Sequence, residues 1–363
     1  MKRITRRCFI KNSAVLSAGI AACPTLITPK AEALNFPRIT VHPNIDNLRV
    51  VGITDPAMTR DGLIDASWET LDKLVNKSAV SENIDKLACG LAETGDPAEA
   101  WRAILLKPSN KLWSETVVAI KTNNIHRQHT RSAVMAKVCY TLTDVLGVKA
   151  TNIHIYDACH GNDISSSTPF EGLPDGCRIE NRWGGSSKNT VIPALWKKGQ
   201  KESKCLKHLV NGYVDILINI SMCKGHSDKF GGYTMTMKNH FGTFSPRPGH
   251  LPGSQDYLIA INKTSEILGK MDKDTGKVLF PRQQLCLVDA IWASKNGPSG
   301  NPSVQPNFLA MGVLSPAVDY QIATKFRVKK MGWQINKDIT RRMLNEFGYD
   351  EKDLPQGGEL IEI

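Results

Sequence analysis

The chain has 363 residues, 41% of them hydrophobic, with 46 Lys and Arg against 35 Asp and Glu for a formal charge of +11. That apolar content suffices for a proper core, and the length allows one large α/β domain or two smaller ones. Residues 1–33 hold Lys2, Arg3, Arg6, Arg7, Lys11 and Lys30 against Glu32, which leaves only +6 for the rest, and no Lys/Arg-rich run alternates with aromatics. Nucleic acid is therefore not an expected partner.

The start of the chain reads as an export signal. Thr5-Arg6-Arg7-Cys8-Phe9-Ile10-Lys11 resembles the twin-arginine pattern Ser/Thr-Arg-Arg-x-Phe-Leu-Lys. The apolar stretch from Ala14 to Ile27 is interrupted by Gly19 and Pro24 and is too short to remain in a bilayer as a helix. Ala31-Glu32-Ala33 then offers small residues to a signal peptidase. The expectation is a twin-arginine signal peptide over 1–33, a folded passenger carried by the twin-arginine export machinery, and a periplasmic mature protein without a transmembrane helix. Ile20-Ala21-Ala22-Cys23 resembles a lipobox, and the alternative is a lipid anchor through Cys23. Pro24 sits awkwardly after that site, so cleavage after Ala33 is preferred.

Many passengers of that route load a metal or organic cofactor before export. Seven cysteines follow residue 33: Cys89, Cys139, Cys159, Cys177, Cys205, Cys223 and Cys286. An odd number in an oxidising compartment leaves at least one thiol unpaired or bound to something. With no Cys-x-x-Cys anywhere, a self-contained iron–sulfur module is not encoded in its usual form.

Beyond the signal, residues 34–50 read as an extended leader and the rest of 34–114 as largely helical, broken at Gly and Pro. From about residue 115 strands and helices alternate. Glu115–Asn123 is a β-branched run with a polar end, and His129–Gly147 carries Val134, Val138, Leu142 and Val145 at helical spacing up to Gly147. Asn152–Gly161 is the next strand. After a polar, Gly/Ser-rich excursion over about 160–205, Tyr213–His226 gives a third. Ser254–Gly269 is a helix, Gln283–Ala293 and Asn307–Ser315 are strands, and Pro316–Gly332 is a helix. The expected fold is α/β: a largely parallel sheet with helices on both faces, Rossmann-like and three-layered, over 115–335, preceded by a helical N-terminal segment and followed by a C-terminal helix and tail over 336–363. Ligands of such sheets sit beyond the carboxyl ends of the strands. No GxGxxG or Walker loop opens any of the helices, so neither a dinucleotide nor a P-loop nucleotide is expected.

Polar clusters recur at those strand ends. Cys159-His160 follows one strand and Cys223-x-x-His226 another, with Asp157 beside the first. Thiolate and imidazole together suit iron, zinc or copper, with Asp157 as a further ligand or an orienting group. A Cys159–Cys223 disulfide and simple packing are the alternatives. Lys121, Lys224, Lys238, Arg127 and Arg131, with Asn123, Asn239 and Gly-rich backbone, converge on the same face in this fold and suit a carboxylate or phosphate. A buried lysine also serves as a base or Schiff-base former. Thr234, Thr236 and Lys238 alternate with Tyr233, Met235 and Met237, which predicts a strand with its polar set on one face; the methionines belong to the core.

Lys121-Thr122-Asn123, Asp157, Lys224-Gly225-His226, Thr234 through Lys238-Asn239-His240-Phe241-Gly242, Val288-Asp289, and Ser315-Pro316 with Asp319 together resemble the bacterial domain-of-unknown-function 362 family, over roughly residues 115–335. The resemblance implies the fold and the place of the site. Some members are fused to ferredoxin-like domains and described as iron–sulfur proteins; the cluster cysteines are absent here. The leading functional expectation is a periplasmic oxidoreductase-type enzyme dependent on a transition metal (iron or zinc) or an iron–sulfur cluster and acting on a small anionic substrate. Lys224, Lys238 and Asp157 are its catalytic candidates. Lys121, Asn123, Arg131, Thr234 and Asn239 are the ligand contacts, and Cys159, His160, Cys223 and His226 the metal ligands. A non-catalytic binding protein for an anion or metal, or an accessory subunit working with a redox partner, are the alternatives.

Overall fold

The architecture is that of a computed structural model describing residues 37–125, 128–157, 169–180, 187–192, 202–250, 254–272, 274–355 and 361–363. Its centre is a sheet of eight strands: β1 (Val50–Thr54), β2 (Val118–Lys121), β3 (Ile153–Tyr156), β4 (Arg178–Glu180), β5 (Ile216–Met222), β6 (Gln283–Ala290), β7 (Phe308–Gly312) and β8 (Ile361–Glu362). The spatial order is β8-β1-β7-β6-β5-β2-β3-β4. The pairs β6–β5, β5–β2, β2–β3, β3–β4 and β1–β8 are parallel, while β7 runs antiparallel to both β6 and β1. One strand therefore opposes the rest, and the expected largely parallel sheet is present.

The central strands form because their residues suit burial on both faces. Ile216-Leu217-Ile218-Asn219-Ile220-Ser221-Met222 is buried along its full length, as is Gln283–Ala290 beside it. Near-continuous apolar runs of this kind mark parallel strands covered on both sides. The covering helices include α1 (Lys77–Ala92), α2 (Pro97–Ile104), α3 (Ser132–Tyr140), α4 (Ser254–Asn262), α5 (Ser315–Gln321) and α6 (Lys337–Asn345). Helix α1 starts where the Asn76 side chain accepts from Ala79 N, and α5 has a proline in its first turn. Helix α3 passes into a π-turn over Thr141–Val145, and Gly147, at φ 81°, lets the chain leave it. Both α1 and α5 pack on β1 and β7, giving the three-layer α/β arrangement.

Two expectations need correction. The 34–114 segment is helical at α1 and α2, but Val50-Val51-Gly52-Ile53-Thr54 also enters the main sheet between β7 and β8. This short β-branched run buries its first four residues, so tertiary pairing decides its state. The 233–238 segment pairs as a strand only at Tyr233–Thr234 and then turns into a 3₁₀ segment at Lys238–His240. Met235 and Met237 are fully buried in the core, as expected.

Candidate functional site at the strand ends

Lys121 is the last residue of β2, in register with Tyr156 of β3 and Asn219 of β5. Its ammonium donates to Thr122 O at 2.6 Å and to Asn239 Oδ1 at 3.4 Å, and pairs with Asp157 Oδ1 at 3.0 Å. Both partners of that ion pair are almost fully buried. Burial without partners would cost several kcal/mol per ion, which obliges the satisfied geometry seen here. The second Asp157 oxygen accepts from Asn124 N at 2.7 Å. The ion pair thus ties the chain leaving β2 to the end of β3.

Asn239 is the hub of the cluster. Its amide nitrogen donates to Asn219 Oδ1 (2.9 Å) and Ile220 O (3.1 Å), and its oxygen accepts from Asn123 Nδ2 (3.1 Å). Asn123 Oδ1 in turn accepts from Lys224 Nζ at 2.6 Å, and Lys224 also reaches Ile125 O at 3.2 Å. A continuous chain of contacts therefore runs Asp157–Lys121–Asn239–Asn123–Lys224 across three strand ends, every member buried. Beneath it, Asn219 Nδ2 donates to Gln283 Oε1 at 3.0 Å and His240 Nε2 lies 2.7 Å from the same oxygen. Burial, with the nearby Lys121 charge opposing the Gln283 contact, pushes His240 down to about 3, so its ring is neutral.

The chain after β5 is shaped by close approach. Lys224-Gly225 pairs antiparallel with Tyr233-Thr234, and a Cβ on Gly225 would fall 2.1 Å from Lys295 O. Gly231 and Gly232, at φ 88° and 87°, make the turn between the two pieces. Thr234 lies directly across from Lys224, so the two side chains share a face. Thr234 Oγ1 is buried and has no hydrogen-bond partner among the described residues. Thr236 N, Thr236 Oγ1 and Met237 N all donate to Asp319, at 2.8, 2.5 and 3.0 Å. Burial outweighs those bonds and pushes Asp319 up to about 6. Asp319 thereby fixes the turn that lifts Lys238 out of the strand alternation expected for it. Lys238 Nζ instead stands 3.5 Å from the Phe241 ring centroid and 4.6 Å from that of Phe230.

His226 packs edge-on against the same Phe230 ring, centroids 4.8 Å apart, and is pushed to about 3 by burial first and then by Lys238, His250 and Lys229. Its Nδ1 accepts from Ser227 N at 2.8 Å. Cys223 faces elsewhere. It is a free, fully buried thiol receiving a hydrogen bond from Arg327 Nη1 at 3.6 Å, and burial raises its pKa. Cys159 and His160 lie outside the described residues, as do His126 and Arg127. Among the described residues no three His, Cys, Asp or Glu side chains are placed to share a metal ion. The Cys223 thiol is engaged by Arg327 and the His226 Nδ1 by Ser227 N.

Arg131 belongs to a separate cluster. Its main-chain N–H donates to Asp289 Oδ2 at 2.9 Å, and its Nη1 donates to Trp68 O at 3.1 Å. The guanidinium lies 4.7 Å from the Trp292 ring centroid and 6.0 Å from that of Trp68, fully buried. Desolvation lowers its pKa against the opposing charges of Asp289 and Asp72.

The model of the family described as a domain of unknown function, DUF362, matches residues 118–324, more than half of the chain. The chain belongs to this family. No curated protein matches it. The matched span holds Lys121, Asn123, Asp157, Lys224, Thr234, Lys238 and Asn239, so the strand-end cluster sits inside the DUF362 domain. Asn124, Asn219, Gln283 and Arg327 were not singled out in the sequence. Asn219 carried the one available signal, an amide in the middle of a run of isoleucines.

Proposed function

We propose that the strand-end cluster of this DUF362 protein binds the anionic group of a small molecule, a carboxylate or a phosphate. Lys224, Thr234 and Lys238 face the ligand, and Lys121, Asp157, Asn123 and Asn239 hold them in place. The observation that carries the reading is Thr234 Oγ1, a buried hydroxyl without a partner among the described residues, on the face it shares with Lys224. An unpaired buried polar group costs about 1–3 kcal/mol, a cost that a ligand accepting this hydroxyl's hydrogen bond removes. Burial is the main cause of the depressed His226, and the further lowering by Lys238, His250 and Lys229 is in keeping with a positive neighbourhood.

The test is a thermal shift of the full chain titrated separately with inorganic phosphate and with succinate at low salt. A saturating rise in Tm with either, reduced in Lys224→Met, supports the reading, because a ligand bound only by the folded state stabilises it by mass action. No saturable response to either, or an equal one in the variant, overturns it. Oxidoreductase turnover with iron, zinc or an iron–sulfur cluster is the second reading, and it would draw on Cys159, His160, Cys223 and His226.

We also propose twin-arginine export to the periplasm, on the strength of Arg6-Arg7 with Phe9 and Lys11. Among the described residues no helix is long and apolar enough to cross a membrane. Replacing Arg6 and Arg7 together by Lys should leave the precursor in the cytoplasm; unchanged export would refute the assignment.

A further inference from the structure

Arg327 is fully buried in the π-helical stretch Ile322–Lys330 that continues α5, its guanidinium 4.7 Å from the Trp333 ring centroid. Nη1 donates to Cys223 Sγ at 3.6 Å and to Ser294 O at 3.2 Å, and Nη2 donates to Lys295 O at 3.2 Å. Among the described residues no carboxylate pairs with it and Nε has no partner, so three neutral acceptors offset the burial of its charge. They belong to two segments. Cys223 directly precedes Lys224, while Ser294 and Lys295 lie in the chain leaving β6, and Ser294 N donates to Cys223 O at 3.2 Å. From there residues 294–303 form a strap against Lys224-Gly225. A Cβ on Gly225 would fall 2.1 Å from Lys295 O, and one on Gly297 would fall 2.2 Å from Gly225 O. Side chains alternate across a strand, so the strap backs the face of Lys224-Gly225 opposite the Lys224 side chain. Ser303 Oγ accepts from Lys295 N at 2.9 Å and closes the strap at its base. Its far end is held by Gln128 Nε2, which donates to Gly300 O at 3.2 Å and Asn301 O at 3.3 Å. Gln128 pairs with Ile125, whose carbonyl is an acceptor of Lys224 Nζ. The strap is therefore fastened to both segments that fix Lys224.

We propose that Arg327 is a positioning residue of the anion site, fastening the strap 294–303 behind Lys224-Gly225 and thereby holding the Lys224 ammonium at Asn123 and Ile125 on the face shared with Thr234. The proposal rests on the anion reading and adds a residue that touches no ligand. Both contacts of the ammonium, to Asn123 Oδ1 and Ile125 O, lie on the β2 side. The backing of Lys224 from the other side is main chain against main chain, which only glycine at 225 and 297 allows. Without Arg327 the carbonyls of Ser294 and Lys295 lose their donor, the strap recedes, and Lys224 loses the surface that sets its reach. An arginine suits this place because its planar fork serves two successive carbonyls and a thiol at once, which a lysine ammonium does less well.

The experiment measures amide hydrogen exchange over residues 294–303 and calorimetric binding of inorganic phosphate and of succinate. It uses the full chain as wild type, Arg327→Met, Arg327→Lys, Lys224→Met and the double variant Arg327→Met with Lys224→Met. The proposal expects exchange in the strap about tenfold faster in Arg327→Met, with affinity for the bound anion down about fivefold, and both partly restored in Arg327→Lys. Because Arg327 acts through Lys224, adding Arg327→Met to Lys224→Met should cost no further affinity, a non-additivity that a merely structural loss does not produce. Gly297→Ala pushes the strap off Gly225 O with Arg327 in place and should lower affinity in the same way, which keeps the test decisive where Arg327→Met fails to fold. Unchanged exchange over 294–303 in Arg327→Met, additive losses in the double variant, or full affinity in Gly297→Ala would overturn the positioning role while wild-type binding stands. A wild type that binds neither anion would instead end the anion reading and this role with it.

Discussion

Lys121 and Arg131 are both buried cations at the carboxyl side of the sheet, and the sequence offers them as equivalent ligand contacts. The structure separates them. Lys121 sits in an extended hydrogen-bond chain that ends at Lys224, beside an unpartnered hydroxyl. Arg131 is held between two indoles near Asp289 and Asp72, at the start of a helix. The first arrangement is a polar network spanning three strand ends beside Thr234; the second, although Arg131 Nε and Nη2 also lack partners among the described residues, is enclosed by two indoles and fixes the entry to α3. Burial of a charge alone does not distinguish a site from a support, whereas the partners around it do.

The comparison can be broken most forcefully at the second arrangement. Arg131→Ala removes a cation that offsets Asp289 and Asp72, and should destabilise by about 3–5 kcal/mol. Denaturant unfolding checks this, and the folded fraction should bind phosphate or succinate as wild type does. A loss of affinity without a loss of stability would move Arg131 into the site. Next in size, Lys224→Met should weaken anion binding at least tenfold, roughly 1.4 kcal/mol. Its stability loss should be about 1–3 kcal/mol, from Asn123 Oδ1 left without its donor.

The network also predicts a pH dependence. His240 has a folded pKa near 3, below the 6.5 of the unfolded chain, so the unfolded state takes up the proton first. The stability it contributes is complete above pH 6.5 and is lost as pH falls toward 3. Asp319, raised to about 6, works the other way and gains stability as pH falls from 6 toward 4. The two offset each other in the wild type, so the informative quantity is the difference from His240→Gln. The wild-type advantage should shrink on going from pH 7.5 to 4.5 by up to about 2–3 kcal/mol, at ~1.4 kcal/mol per unit. A constant difference would mean that His240 takes up its proton with the same pKa in the folded and the unfolded protein. The smallest effect belongs to Thr234→Val, which keeps the shape and removes the orphaned hydroxyl. Its stability should stay within about 0.5 kcal/mol of wild type or rise slightly, since an unsatisfied buried group is lost, while anion affinity falls several-fold.

Much of the fold was legible because hydrophobic period and turn residues report it directly. The strands β2, β3, β5, β6 and β7 and the helices α3, α4 and α5 coincide with the apolar runs and Gly stops from which they were expected. β1, starting where the expected leader ends and falling in the segment read as helical, was missed because five residues carry little periodicity, and its pairing with β7 and β8 settles it. The cluster was legible as a list of residue types at strand ends, and Lys121, Asn123, Asp157, Lys224 and Asn239 do meet. The geometry was not. The alternation from Thr234 to Lys238 suggested one polar face, whereas Asp319, 83 residues from Thr236, captures that threonine and redirects the chain. Long-range hydrogen bonds of this kind leave no periodic trace. Nor did the spacing Cys223-x-x-His226 reveal that Arg327 would claim the thiol.

The most direct test is a calorimetric titration of the full chain and of its Thr234→Val and Lys224→Met forms with inorganic phosphate and with succinate, in low-salt buffer at pH 7.5. Saturable binding of at least one probe by wild type, weaker in Thr234→Val and weakest in Lys224→Met, is the predicted result. Binding that is absent for both probes, or equal in all three proteins, would contradict an anion site at the strand ends.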